Sequence, residues 1–80
     1  MESVVRKLRA ETYREQLALC EEIRETLASN LNSPFLTIAE RIAIVKRCDA
    51  TLTEIYSIQL MLALIDRKDR EEEEQGAATS

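Results

Sequence analysis

Apolar residues in the first 31 positions recur at helical spacing. Val5, Leu8, Tyr13, Leu17, Cys20, Ile23, Leu27 and Leu31 form a broad stripe at steps of three, four and five, the period of an amphipathic helix. The charged residues Arg6, Lys7, Glu11, Arg14, Glu15, Glu21, Glu22 and Glu25 lie mostly off that stripe. Glu2–Arg6 and Lys7–Glu11 stand four apart, where opposite charges support a helix by about 0.2–0.5 kcal/mol per pair. No Pro or Gly interrupts positions 2–30, and the pattern predicts a first helix over that span.

The run Asn30-Leu-Asn-Ser-Pro-Phe-Leu-Thr37 reads as a turn over 31–37. Asn30 or Asn32 is suited to a left-handed C-terminal cap. Ser33-Pro34 and Thr37-Ile-Ala-Glu40 are competing restart signals; the second is a capping box, in which the Thr and Glu side chains satisfy each other's backbone N–H groups. We read Thr37 as the cap of the second helix and Pro34–Leu36 as a short hydrophobic corner.

Beyond the turn, Ile44, Cys48, Thr51, Ile55, Ile58, Leu62 and Ile65 follow strict four-three spacing, with a second stripe of Ile38, Ile42, Val45 and Leu52 beside it. The pattern predicts a helix over about 38–70, with Arg67, Lys68 and Arg70 near its negative pole. The fold class expected is all-α: an antiparallel αα-hairpin roughly 45 Å long, at 1.5 Å per residue. A fold-back centred near Ser33–Pro34 pairs residues whose numbers add to about 68. That places Cys20 beside Cys48, Leu17 beside Thr51 and Leu52, and Tyr13 near Tyr56, apolar against apolar in nearly every layer.

Between Ile55 and Ile65 only Ser57 and Gln59 are polar, so this segment is apolar nearly all the way round. Eleven residues are too few to span a bilayer, which takes about 20, and no membrane insertion is expected. Helix 1 offers five apolar residues opposite this segment's nine. Several of Ile58, Leu60, Met61, Leu62, Leu64 and Ile65 therefore need a cover from outside the chain. Each large apolar side chain buried contributes about 1.5–3 kcal/mol. These six are the candidate dimer and partner interface, and a two-fold homodimer forming a four-helix bundle is the expected closed solution.

Length sharpens this expectation. Eighty residues make one domain, and so short a chain rarely gains more than about 3–5 kcal/mol from its own core. With two cysteines, no histidine and no Cys-x-x-Cys pair, neither a disulfide framework nor a metal is expected as a staple. The lone thiols are expected to be free. With no apolar leader, they suggest a reducing, intracellular, cytoplasmic setting.

The net charge of −4 is concentrated: residues 1–70 carry 11 basic and 11 acidic side chains, and Glu71–Glu74 supply the excess. Residues 71–80 are expected to be an acidic, disordered tail. No histidine, Gly-rich loop or nucleophile beside a base is present, so no catalytic or cofactor residues are read and the chain is expected not to be an enzyme. The helical chorismate mutases catalyse with Arg, Lys and Glu alone, but they use a third helix and a buried cationic pocket.

The function expected is binding: a small adaptor, inhibitor or co-chaperone type of protein with a protein partner. The alternative partner is structured or double-stranded RNA. Arg6, Lys7, Arg9 and Arg14 share one end of the hairpin with Arg67 and Lys68, and Arg41, Lys46 and Arg47 lie near the bend. Repeated along a dimer, such groups can hold phosphates without reading bases. The layout is similar in architecture, though in no sequence motif, to the plasmid copy-number Rop bundle and to the viral silencing suppressors that lay duplex RNA across a helical dimer.

Overall fold

The computed structural model describes Glu2–Thr79 as two antiparallel α-helices, α1 (Glu2–Asn30) and α2 (Ile38–Thr79), with no strand among the described residues. The pair is a rod of 65 × 15 × 15 Å, longer than the 45 Å expected. The difference lies in the C-terminal extension of α2 and in the helices' registry, since α2 starts at Ile38 as expected. Its 42 residues continue past Arg70 through Thr79, where the sequence reading placed a disordered tail. Glutamate is a good helix former, and the start of the segment is tied inward: Arg67 donates to Glu71 (3.3 Å) and Glu72 pairs with Arg6 of α1.

The helices meet along one four-three seam each. On α1 the covered positions are Arg6, Ala10, Tyr13, Leu17, Cys20 and Leu27, followed by Leu31 in the turn; on α2 they are Arg41, Ile44, Cys48, Thr51, Ile55, Ile58, Leu62 and Ile65. The α2 seam is the one its spacing predicts. On α1 the prediction is only half met, because Val5, Leu8 and Ile23 are exposed while Arg6 and Ala10 are covered. Cys20, Ile55 and Ile58 form the buried centre, with Tyr13, Leu17 and Leu62 packed against it.

These contacts set a registry different from the one expected. Facing residues have numbers adding to about 75, as Arg6 with Asp69 and Cys20 with Ile55. Cys20 therefore lies against Ile55 and Ile58 rather than Cys48, and both thiols are free. Tyr13 packs at the core edge, but Tyr56 points outward. The shift is one heptad. A four-three pattern superimposes on itself after seven residues, so both registries set apolar against apolar and the pattern alone does not choose between them.

At the bend, α1 ends by tightened i to i−3 bonds, from Asn32 N to Ser29 O (3.1 Å) and Ser33 N to Asn30 O (3.2 Å). No described non-glycine residue has positive φ, so neither Asn30 nor Asn32 forms a left-handed cap. The capping box forms as read: Glu40 N donates to Thr37 Oγ1 (3.1 Å), and Thr37 N donates to Glu40 Oε1 (3.3 Å). Arg41 fastens the turn by donating to the carbonyls of Leu31 (3.1 Å) and Ser33 (3.0 Å). In this registry the first two turns of α2 stand beyond the end of α1. Phe35 is left 90 % exposed and Ile38 78 % exposed.

Candidate interaction surface

Two antiparallel helices can cover only one stripe on each other. Ala10, Cys20, Ile55 and Ile58 are the buried apolar residues, and no large side chain among the described residues falls below 2 % exposure. The seam takes three of the six residues expected at an intermolecular interface. Ile58 is buried in the intrachain core, and Leu62 and Ile65 are half-buried beside it. The physical reason is direct: a helix apolar all round must give one face to its own partner helix first. Leu60, Met61 and Leu64 remain exposed.

The exposed apolar residues fall into two groups. At the open end, Met61, Leu64 and Ile65 of α2 and Tyr13 of α1 line a groove of about 220 Å³ whose rim is Arg6, Arg9 and Lys68. Val5 and Leu8 continue this face across α1 into a second hollow with Thr12 and Gln16. The other group runs along α2. Ile38, Ile42, Val45, Leu52 and Tyr56 follow four-three spacing about a third of a turn away from the seam, with Asp49 at the position between Val45 and Leu52, and Leu60 stands four residues after Tyr56 beside the next position, Gln59. Leu52 is half-buried and the other five apolar residues are exposed. From the seams, the two stripes are reached in opposite rotational senses, one on each face of the hairpin. The polar groove opposite the open-end patch is lined by Ser3, Lys7, Ala10, Arg14, Asp69, Glu72 and Glu73.

The cations are less free than the sequence suggests. Arg6 sits in the seam with its side chain 13 % exposed; Nε donates to Asp69 Oδ1 (3.0 Å), and Nη2 pairs with Glu72. Those partners hold its guanidinium charged, raising its pKa, and the Glu72 carboxyl is lowered chiefly by its bond to Arg6. Arg41 is occupied at the turn and Arg67 with Glu71. Lys7, Arg9, Arg14, Lys46, Arg47 and Lys68 are exposed. Three of the nine residues named for RNA are thus engaged within the chain; of the rest, Lys7 and Arg14 line the polar groove and Arg9 and Lys68 the apolar one. Burial raises the pKa of the Cys20 thiol, with a smaller contribution from Glu54, and keeps it in the unreactive protonated form.

A stretch within Ile38–Gly76 is, by length and composition alone, apolar enough to cross a membrane. The eleven-residue run considered above does not by itself reach that length. Glu54 stands immediately before Ile55, at the start of the most apolar run. No protein family, curated protein or solved structure matches this chain.

Proposed function

We propose that the chain is a non-enzymatic binding protein of the adaptor, inhibitor or co-chaperone kind. The hairpin self-associates into a four-helix bundle and presents the apolar open-end patch to a protein partner. The observation that carries this reading is surface area. The chain exposes 6539 Å², whereas a compact monomer of its mass would expose roughly 4,900 Å². The excess of about 1,600 Å² per chain is the size that a stable, obligate dimer buries. The exposed surface includes the large apolar side chains of Val5, Leu8, Ile42, Val45, Tyr56, Leu60 and Leu64.

Size-exclusion chromatography with light scattering tests self-association. The expected particle has twice the 9.2 kDa of the chain. The 260/280 nm absorbance ratio expected is that of protein alone, a sensitive reading because the chain has two Tyr and no Trp. A monomer at tens of micromolar overturns the dimer. Excess 260 nm absorbance removed by ribonuclease turns the assignment to RNA. The partner patch is tested separately with a hydrophobic dye: Leu64→Glu is expected to lower dye binding while leaving helicity unchanged.

A further inference from the structure

We propose that the second copy seats on the outer stripe of α2, antiparallel, with the two-fold axis beside Leu52 and Thr53. This rests on the dimer reading above and names the face and register that it leaves open. A stripe from Ile38 to Leu60 is about 33 Å long at 1.5 Å per residue. Four-three spacing from Ile38 to Tyr56, broken in character only by Asp49 and extended by Leu60 one residue off the repeat, suits another helix better than a compact globular surface.

The one charged residue on the stripe, Asp49, selects the arrangement. Parallel, in-register pairing would set every residue against its own copy, and so Asp49 against the partner's Asp49. Antiparallel pairing centred on residue 49 does the same. Like charges at a desolvated seam oppose association. Moving the centre one heptad on, to Tyr56, sets Val45 and Ile42 against the partner's Arg67 and the partner's Arg70. The intermediate centre, at 52–53, keeps the two Asp49 side chains apart and brings one arginine rather than two against an apolar residue, at the end of the stripe. There Asp49 faces the hydroxyl of the partner's Tyr56, a donor for its carboxylate, and symmetry makes this bond twice. Val45 meets the partner's Leu60, and Ile42 meets the partner's Ala63. Ile38 falls beside the partner's Arg67, whose methylene stem can cover it. A single polar residue in a seam commonly fixes register in this way.

This arrangement leaves the open-end patch of Met61, Leu64, Val5 and Leu8 uncovered, on the opposite face of each hairpin. One surface then serves the second copy and the other the protein partner.

Site-directed cross-linking of the full chain with a short bis-maleimide tests the placement, alongside light scattering on the same samples. Thr53→Cys lies beside the proposed axis at an exposed position, and Leu64→Cys lies on the other face. The unsubstituted chain, whose two cysteines belong to the intrachain seam, is the background. The expected result is a covalent dimer from Thr53→Cys, several-fold above both the background and Leu64→Cys. A dimer by light scattering that cross-links through Leu64→Cys instead would overturn the placement and leave the dimer standing. Equal cross-linking through Thr53→Cys and Ile38→Cys would show parallel pairing and also overturn it. A monomer by light scattering removes the dimer reading and this inference with it.

Discussion

Arg6 occupies a seam position that would hold an aliphatic residue in an uninterrupted coiled coil, and α2 answers it with Asp69 and Glu72 at the matching seam positions. The apolar layers thus end in an ionic one, which gives the hairpin something its repeating pattern lacks. Sliding the helices by a heptad keeps apolar layers apolar, but it separates Arg6 from both carboxylates. We therefore assign the trio a register-setting role, with modest stabilisation, because each carboxylate is close to half exposed and screened by solvent. Replacing Arg6 with Ala is expected to lower the thermal midpoint by a few degrees and to loosen the register. Loosening would be read as faster amide exchange near both ends of the seam. The pH dependence has a definite sign. The Glu72 carboxyl is depressed below its ordinary value in the folded chain, so its contribution is present at neutral pH and lost as pH falls through the folded value. Melts between pH 7 and pH 3 should show acid destabilisation that is smaller in Glu72→Gln. An unchanged pH profile in that variant would remove Glu72 from the account.

The start of α2 and the extent of α1 were legible because each has a local signal, whereas the end of α2, expected near Arg70, was not. The capping box at Thr37–Glu40 specifies where α2 starts, and the uninterrupted run before Asn30 specifies α1. The inter-helix registry was not legible, since the four-three repeat is degenerate over seven residues. Only the few non-apolar seam positions break that degeneracy, and Arg6 and Ala10 do not resemble core residues in isolation. That Ile58, Leu62 and Ile65 of the expected interface belong to the intrachain seam was not legible for a related reason. From the composition of Ile55–Ile65 one reads that the helix is apolar on several sides, but not which side α1 takes. The α2 start is open to a direct test: Thr37→Ala removes one side of the capping box and is expected to cost about 1 kcal/mol. It would be measured by urea unfolding followed by circular dichroism. A larger penalty is expected at the seam, where Ile55 is 4 % exposed and truncation to Ala of such a residue costs about 2–5 kcal/mol. That is comparable to the whole stability expected of so small a core, so Ile55→Ala should be largely unfolded unless association rescues it.

On the scale of the whole molecule, two helices form a rod with a radius of gyration of 18.6 Å, where a compact chain of this length would have about 12 Å. A rod this thin has no interior beyond its seam. If a second copy covers the outer stripe, as proposed, part of the rod's stability comes from a bimolecular event. Folding and assembly should then be coupled, and a coupled transition depends on concentration by mass action. The thermal midpoint followed by circular dichroism is expected to rise by several degrees between 2 and 200 micromolar protein. Tyr56→Glu, on the outer stripe, should abolish that rise and lower the midpoint at every concentration. Leu64→Glu, on the opposite face, should leave it in place. A midpoint independent of concentration would mean that the Cys20–Ile55–Ile58 seam alone supports the hairpin. The exposed apolar faces would then be free for partners other than a second copy, and a concentration-dependent rise lost in Leu64→Glu instead of Tyr56→Glu would assign the pairing to the open-end face.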